Sequence, residues 1–312
     1  MAQYDGILLC SKPFGMTSHA VVSNLRQIIG QEKIGHTGTL DPRATGLLII
    51  CLGRATKIAQ FLSDMDKSYE AEIKLGERSS TYDSEGIFED TEPQSIPELT
   101  EDIIRDILLE FKGKIKQRVP AFSAIKVDGQ RLYKMARRGK AVERPEREIE
   151  IKDIALIKMD LPFVYCHVSC SKGTYIRALA NDIGERIGCG AYLSNLTRTR
   201  IGDYTLDEAL TLSEIKYYRE AGVLKRHVRQ IESVLPFPSL QVDEKFSPGI
   251  VSGRSPRVKD IVDISGSFHA EELVALRDHT GKVMAIGRTR IGSDDLRDYK
   301  GKAFFTYLRV LN

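Results

Sequence analysis

The chain has 312 residues, of which 46 are Lys or Arg and 43 are Asp or Glu, so its formal net charge is +3. A composition of 42% apolar and 29% charged residues excludes global disorder, and at about 100–200 residues per domain the length predicts two domains. No apolar run reaches the roughly 18–20 residues of a membrane helix, and the N-terminal residues do not resemble a signal peptide. Five cysteines, an odd number, indicate reduced thiols and a cytoplasmic protein.

The near-neutral total hides a strong segregation of charge. Residues 77–110 carry eleven acidic and two basic side chains, which we interpret as a solvated face. Residues 112–147 carry twelve basic and three acidic side chains. A short helix is predicted after Asp128-Gly129, with Tyr133 among its basic residues Arg131, Lys134, Arg137, Arg138 and Lys140. Such a stripe suits either a solvated face or contact with nucleic-acid phosphates and bases.

Hydrophobic periodicity and capping residues predict a mixture of helices and strands. In chain order we expect a helix over 18–29, a strand over 47–52, a short helix over 54–62, a strand over 69–75, a helix over 101–111, strands over 149–157 and 163–171, and a helix over 174–187. Because helices and strands do not alternate regularly, a doubly wound parallel sheet is disfavoured. The fold class predicted is α+β, with a mixed, largely antiparallel sheet flanked by helices.

A domain boundary is predicted near Pro236-Phe237-Pro238. Residues 1–236 would form the larger body, and residues 238–312 a small β-barrel. The second part contains a hairpin signal, in which apolar runs at 273–276 and 283–286 flank a turn with Asp278 and Gly281.

The segment Gly-His-Thr-Gly-Thr-Leu-Asp-Pro at residues 35–42 is predicted to be a loop, because two glycines and a proline disfavour a helix or a central strand. From these residues alone, Asp41 is either a turn residue or a reactive carboxylate held by the buried strand that follows. The loop lacks the Gly-Lys-Ser/Thr ending of a P-loop. Cys166 and Cys170 share one strand face without further metal ligands at suitable spacing, so we expect core residues there, and no cofactor.

Five segments, in order along the chain, together resemble one family. They are Lys-Pro-Phe-Gly-Met-Thr-Ser at 12–18, the loop at 35–42, Lys-Ser-Tyr-Glu at 67–70, Pro-Ala-Phe-Ser-Ala-Ile-Lys-Val-Asp-Gly at 120–129, and Ser-Lys-Gly-Thr-Tyr-Ile-Arg at 171–177. The chain resembles the TruB family of pseudouridine synthases, whose bacterial members isomerise the T-loop uridine at position 55 of tRNA. The segment after residue 238 is similar to a PUA domain, an RNA-binding module.

This resemblance implies roles for individual residues. Asp41 would be the nucleophile or essential base, and Arg177 would pair with it and keep it ionised. Tyr69 would stack on the flipped-out base, and an aromatic platform of this kind contributes about 1–3 kcal/mol per base. His36 would fill the space that the extruded base leaves. Inward packing in the core is the alternative for Tyr69, and both can hold.

Further positions match the family pattern less directly. Tyr175 and Leu196 correspond to substrate-pocket positions, with a core role as the alternative. Lys12 and Pro13 match a motif beneath the site, where we favour a structural role, although Lys12 is also a candidate for substrate contact. The region at 112–147 resembles an RNA-gripping insertion, to which four candidate residues belong: Lys126, Arg131, Arg137 and Arg138.

The resemblance also implies partners and competing hypotheses. The expected partner is tRNA through its T-stem-loop, with no membrane, no DNA, no obligate protein partner and no cofactor. One alternative is a catalytic subunit guided by RNA and protein partners. Another is a non-catalytic RNA-binding or RNA-chaperone protein, in which Asp41 is only a turn residue.

Overall fold

A computed structural model of the protein describes residues 3–88, 95–123, 125–127, 129–136, 138, 143–235, 237–301 and 303–311. The strands are β1 Gly6–Lys12, β2 Ile34–His36, β3 Thr45–Leu52, β4 Lys67–Leu75, β5 Gly113–Arg118, β6 Lys126–Val127, β7 Gln130–Arg131, β8 Glu146–Asp160, β9 Phe163–Cys170, β10 Ala191–Ile201, β11 Tyr204–Thr205, β12 Ser239–Val242, β13 Ile261–Ser265, β14 Leu273–Arg277, β15 Val283–Thr289 and β16 Phe305–Val310. The helices are α1 Ser18–Ile29, α2 Ala59–Ser63, α3 Glu101–Glu110, α4 Leu132–Ala136, α5 Ile176–Ile187, α6 Leu212–Glu220, α7 Ile231–Val234 and α8 Ser247–Val251. None of these helices is long and apolar enough to cross a bilayer.

The larger sheet has the order β1-β3-β10-β4-β9-β8-β5, with β2 paired to β3 and β11 paired to β10. Its pairings are antiparallel except the one between β3 and β10, which is parallel. The α+β class with a mixed, largely antiparallel sheet is therefore confirmed. The register places Arg198 of β10 opposite Tyr69 of β4, which matters for the site described below.

The two apolar strands at one end of the sheet, β1 and β3, are buried on both faces. On one face α1 and α6 pack on Leu8, Cys10, Leu48 and Ile50. The opposite side chains of these strands share a core with α2, α7 and the second sheet. Burial on both faces explains why residues 47–52 form a continuous apolar run instead of an alternating one.

Helix α1 begins and ends where the sequence predicts. The Thr17 hydroxyl accepts a hydrogen bond from the amide of Ala20 at 3.0 Å, and Gly30 follows the helix in the left-handed region with φ 73°. A left-handed residue after the last turn favours glycine, which has no Cβ to clash. Thr100 caps α3 in the same way, through the amide of Ile103.

Several elements differ from the prediction. The helix expected over 54–62 is a 3-10 turn at Gly53–Lys57 followed by the short α2. The predicted basic helix is limited to the five residues of α4, and Arg131 lies on β7 before it. Arg137 and Lys140 lie outside the described residues. Helix α5 begins at Ile176, two residues later than predicted.

The second sheet has the order β13-β12-β14-β15-β16, and β14 and β15 form the predicted hairpin. It packs against the larger body through a shared core that includes Ala275, Val283 and Ile286. Arg54 bridges the two parts, because its guanidinium donates hydrogen bonds to the carbonyls of Val283 and Leu311 while its Nε lies 3.3 Å from Asp5 Oδ2. The second sheet is thus held against the first by apolar packing and polar contacts.

The five cysteines are free thiols and all are buried. Burial raises the pKa of Cys166 to about 12, which leaves its thiol protonated and unreactive at neutral pH. Cys166 and Cys170 belong to the core under α3 and α5, as the sequence predicts.

Candidate active site

Asp41 lies in the loop between β2 and β3, and the residues on both sides of it are anchored. The Ser18 hydroxyl accepts a hydrogen bond from the Leu40 amide at 2.9 Å and donates to the Leu40 carbonyl at 3.2 Å. The Pro42 carbonyl accepts hydrogen bonds from the Gly15 amide and from Lys12 Nζ, at 2.9 and 3.0 Å. The Asp41 side chain between these anchors is 49% exposed. The fold therefore holds the backbone still and leaves the carboxylate accessible.

Lys12 is fully buried and serves this loop. Its ammonium group donates to the carbonyls of Pro13, Met16 and Pro42 at 3.0, 2.5 and 3.0 Å, which uses all three of its N–H bonds. Burial lowers its pKa to about 8, although Asp41 opposes the shift. These contacts support the structural role that we favour for Lys12, because its three N–H groups are already used by the loop; substrate contact by Lys12 stays an untested prediction.

Arg177, near the start of α5, is a buried guanidinium with fixed orientation. Nη2 donates to the Phe122 carbonyl at 2.7 Å, and Nη1 donates to the Thr81 carbonyl at 3.3 Å and lies 3.2 Å from Asp83 Oδ2. Nε faces Asp41 Oδ2 at 3.6 Å and has no other described partner. The structure thus brings together Asp41 and Arg177, as expected, with Arg177 anchored by groups other than Asp41.

Asp83 is a site residue that the sequence analysis missed. It lies in the acidic segment that we interpreted as a solvated face, yet its side chain is only 13% exposed. Its second oxygen, Oδ1, accepts hydrogen bonds from the Thr81 hydroxyl at 2.5 Å and the Glu85 amide at 3.0 Å. Only the Thr-Tyr-Asp-Ser turn chemistry at 81–84 could have set Asp83 apart from the other acidic residues.

A cavity of about 350 Å³ lies beside these groups, which is at the lower end of ligand-pocket sizes of about 300–1,000 Å³. Five of the sequence-predicted site residues line it: Asp41, Tyr69, Tyr175, Arg177 and Leu196. Tyr69 also belongs to the core cluster, so the substrate and core interpretations hold together. Burial raises its pKa above the ordinary value. An aromatic side chain in the wall and a carboxylate at the same cavity suit a flat, polar ring such as a nucleobase.

The backbone of Tyr175 is held by a side chain from β5. The Gln117 carboxamide accepts from the Tyr175 amide at 2.8 Å and donates to the Tyr175 carbonyl at 3.0 Å. In the cavity wall, the buried hydroxyls of Thr37 and Ser123 have no hydrogen-bond partner among the described residues. Buried polar groups are normally paired, so these hydroxyls are available to polar atoms of a ligand.

Arg198 on β10 is a second buried arginine in the cavity wall, and the sequence analysis did not identify it. Its Nε donates to the Leu47 carbonyl at 2.8 Å and its Nη2 to the Gly38 carbonyl at 3.1 Å. Its cross-strand neighbour is Tyr69, and the two side chains interact electrostatically. Burial lowers the pKa of Arg198, opposed by Tyr69. The alternation of side chains along β10 predicts that Arg198 shares a face with Leu196, but it does not predict that Arg198 is buried.

His36 does not line the cavity. It ends β2, is half-buried, and its Nδ1 accepts a hydrogen bond from the Gly38 amide at 3.3 Å. Burial lowers its pKa, and the neighbouring Arg198 and His19 lower it further. The structure therefore places His36 next to the Asp41 loop, two residues from Gly38, as a neutral imidazole at neutral pH.

Two of the candidate RNA-gripping residues, Arg131 and Arg138, can be placed, and neither they nor Lys134 of the same basic stripe line the cavity. Arg131, Lys134 and Arg138 are exposed, and no ion pair involving them is found in the described part of the chain. The Lys126 side chain and Arg137 lie outside what the structure describes. Three other basic residues of the same segment lie on β5 and are also exposed, but each has an acidic residue as its cross-strand neighbour on β8. The pairs are Lys114 with Glu150, Lys116 with Glu148, and Arg118 with Glu146.

The arrangement can support nucleophilic or general-base chemistry by Asp41. A carboxylate that is accessible, held by an anchored loop and paired with an oriented guanidinium meets the geometric demands of either role. The anchored guanidinium places a fixed positive charge 3.6 Å from the carboxylate. The adjoining aromatic cavity can hold the reacting ring next to it.

Comparison with known proteins matches this chain to pseudouridine synthases. Residues 26–176 match the TruB family pseudouridylate synthase N-terminal domain, residues 177–236 the tRNA pseudouridylate synthase B C-terminal domain, and residues 238–311 the PUA domain. The tRNA pseudouridine synthase B of Bacillus pumilus is 41% identical over 90% of this chain and 92% of its own length. The enzyme of the same name from Pseudomonas syringae is 41% identical over 91% of each chain.

A solved structure agrees with the fold. The matching chain of a Cbf5-Nop10-Gar1 complex has a TM-score of 0.77 and 26% identity, with 98% of this chain and 85% of that chain covered. The similarity thus extends over both sheets and includes the loop that carries Asp41. On the strength of the domain matches and the relatives that align over nearly its whole length, the chain belongs to the TruB family of pseudouridine synthases and ends in a PUA domain.

Proposed function

We propose that this protein isomerises the uridine at position 55 in the T loop of tRNA to pseudouridine. The observation that carries the proposal is the position of Asp41, a half-exposed carboxylate 3.6 Å from the anchored Arg177 at a cavity lined by two tyrosines. The two relatives named tRNA pseudouridine synthase B, each 41% identical, support tRNA as the substrate. We further propose that residues 1–236 act as the catalytic body and residues 238–312 as an RNA-binding module.

In the proposed reaction the N1–C1′ bond of uridine breaks, the uracil turns, and C5 joins C1′. Asp41 attacks the substrate or removes a proton, Arg177 orients Asp41, and Tyr69 provides an aromatic surface for the extruded base. The buried hydroxyls of Thr37 and Ser123, which have no hydrogen-bond partner among the described residues, are available to the polar edge of the pyrimidine or the ribose. The cavity walls keep the detached ring near C1′, which favours recombination over escape.

The exposed Arg131, Lys134 and Arg138 are proposed to contact RNA phosphates. Stand-alone action is favoured over a subunit guided by RNA and protein partners, because the two relatives named tRNA pseudouridine synthase B are 41% identical to this chain, whereas the chain from the Cbf5-Nop10-Gar1 complex is 26% identical. A naked T-stem-loop as substrate separates the two, since a guided subunit requires its guide RNA and partner proteins.

The test is tritium release from tRNA transcribed with C5-labelled uridine. The wild-type protein should release one tritium per tRNA, and Asp41→Asn should release none while still binding the tRNA. Asp203→Asn is the matched control, because Asp203 is fully exposed and its only described ion pair is with Arg200. Full activity of Asp41→Asn would refute the assigned role, and an inactive wild type on folded tRNA would refute the enzyme.

A further inference from the structure

Arg198 is a buried cation without a counter-ion. The residue is 1% exposed, its hydrogen-bond acceptors are the neutral carbonyls of Leu47 and Gly38, and its cross-strand neighbour is the neutral Tyr69. No ion pair with a carboxylate is found for Arg198 in the described part of the chain. The other buried arginine of the cavity, Arg177, lies beside two carboxylates. A buried charge without compensation is unfavourable, so the free protein maintains a positive cavity wall at a cost in stability.

The proposed reaction moves a negative charge into this cavity, and the inference rests on that proposed function. If Asp41 attacks C1′, an O–C1′ bond forms and the N1–C1′ electron pair leaves with the uracil, which becomes an anion. If Asp41 instead takes the C2′ proton, the C–H pair forms the C1′–C2′ double bond and the same N1 anion leaves. If Asp41 attacks C6, the C5–C6 π pair moves through C4 to O4 and forms an enolate. In each case the charge of the Asp41 carboxylate passes to the pyrimidine ring.

We propose that Arg198 stabilises this pyrimidine anion, with Tyr69 as the group through which it acts. Arg177 faces the charge where it starts, on Asp41, and Arg198 faces the cavity where the charge arrives. Arg198 is thus an electrostatic positioning residue for the isomerisation. Preorganised positive charge aimed at developing negative charge in an enclosed site is among the strongest catalytic effects.

The register of the sheet supports this assignment. Arg198 and Tyr69 are direct cross-strand partners, so the guanidinium and the phenol are held next to each other by backbone pairing. A Cβ at Gly46 would lie 2.3 Å from the Arg198 carbonyl, so the close approach of β3 to β10 requires glycine there. The field of Arg198 also reaches its neighbours, because it adds to the effect of burial in lowering the pKa values of Lys12, His36 and Lys67.

Two substitutions separate the charge of Arg198 from its hydrogen bonds. Arg198→Lys keeps the charge, and Arg198→Gln keeps a donor without the charge. The single-turnover rate on a T-stem-loop, the RNA dissociation constant and the urea unfolding midpoint are measured for each. Arg200→Gln is the matched control, since Arg200 lies two residues along the same strand and is exposed.

We expect Arg198→Gln to slow the single-turnover step by about 100-fold with little change in RNA affinity. The rate of Arg198→Lys should be at least about tenfold higher than that of Arg198→Gln. Equal rates for the two variants, with an active wild type, would overturn the role of the charge and leave the proposed function standing. A parallel loss of RNA affinity that accounts for the slower rate would overturn it too. An inactive wild type would instead refute the proposed function.

A second measurement applies if Arg198→Gln does not fold. Wild type and Arg198→Met, an uncharged variant of similar length, are compared on T-stem-loops that carry uridine or 5-fluorouridine at the target, and loss of the starting nucleoside is followed under single-turnover conditions. Fluorine stabilises the pyrimidine anion, so the rate deficit of Arg198→Met should be smaller on 5-fluorouridine. An equal deficit on both substrates would overturn the inference.

Discussion

Asp83 and Arg177 form an ion pair in which the Arg177 side chain is buried and the Asp83 side chain is 13% exposed, with Asp83 Oδ2 3.2 Å from Arg177 Nη1. Arg177 Nε also faces Asp41 at 3.6 Å, so one guanidinium contacts both the inner carboxylate of Asp83 and the exposed carboxylate of Asp41. The inner contact orients Arg177 before any substrate arrives. The position of the reactive carboxylate therefore depends on a residue that does not itself need to touch the substrate.

Asp83→Ala should lower both stability and rate. Removing Asp83 leaves the buried Arg177 with only the more distant and more exposed carboxylate of Asp41, so we expect the free energy of unfolding to fall by about 2–4 kcal/mol. The single-turnover rate should fall by about tenfold or more, because Arg177 loses the contact that orients it. Urea unfolding and rapid-quench kinetics measure the two effects.

The control for Asp83→Ala is Asp102→Ala. Asp102 also pairs with an arginine, Arg105, but its side chain is 93% exposed, so its loss should change stability by about 0.5 kcal/mol or less. Equal stability of the two variants would contradict a structural role for the inner pair.

Ser18→Ala should slow catalysis by loosening the loop that carries Asp41. The hydroxyl both donates to and accepts from the backbone of Leu40, so its loss leaves two backbone groups unsatisfied and should destabilise the protein by about 1–3 kcal/mol. The single-turnover rate should fall by about tenfold while the RNA dissociation constant stays the same.

Ser233→Ala is the matched control for this change, because the Ser233 hydroxyl donates only to the Gln230 carbonyl and is exposed. A Ser18→Ala variant with full single-turnover activity would show that the anchor is not needed to hold Asp41 in place.

Neutralising Arg131, Lys134 and Arg138 to glutamine should weaken RNA binding and flatten its salt dependence. Each lost phosphate contact reduces the slope of log K against log salt by about 0.7–0.9, so the triple variant should lose up to about 2–3 in slope. The single-turnover rate at saturating enzyme should stay close to wild type. Filter binding at several salt concentrations gives the slope.

A second triple variant in the same basic segment, residues 112–147, is the control for this prediction. Neutralising Lys114, Lys116 and Arg118 also removes three positive charges, but these residues stand opposite Glu150, Glu148 and Glu146. Because opposite charges in register already attract each other across the strands, their loss should change the slope less. Equal slopes for the two triple variants would refute the assignment of the RNA-facing surface.

The lowered pKa of His36 leads to a pH prediction. The folded protein binds this proton less readily than the unfolded chain, so the unfolded state gains protons first as the pH falls below about 6.5. The contribution of a neutral His36 is therefore present above that pH and is lost as the pH falls. His36→Gln should lose less stability than wild type between pH 7 and pH 5, as measured by urea unfolding.

His36 should also contribute no charge to RNA binding at neutral pH. The salt dependence of tRNA affinity should therefore be the same for His36→Gln and wild type at pH 7.5, whatever the change in affinity itself. A smaller slope for the variant would mean that His36 binds RNA as a cation.

The sequence alone was sufficient for features that depend on local chemistry. The Thr17 cap, the left-handed Gly30 and the apolar face between them predict α1, because capping and periodicity act within a few residues. The motif at 35–42 and the arginine at 177 suggested, through resemblance, Asp41 as the reactive carboxylate and Arg177 as its partner, and the structure places the two 3.6 Å apart.

Only the tertiary structure decided which charges are buried and which are paired. Asp83 lies in an acidic run, Lys114 in a basic run and Arg198 in an ordinary strand, so composition and periodicity do not separate them from solvated side chains. Their environments come from strand register, which sets Lys114 opposite Glu150 and Arg198 opposite Tyr69 across long stretches of chain. Local conformational preferences act between neighbours in sequence, whereas desolvation and ion pairing act between neighbours in space. The near-zero net charge of the chain therefore shows neither which charges are buried nor which are paired.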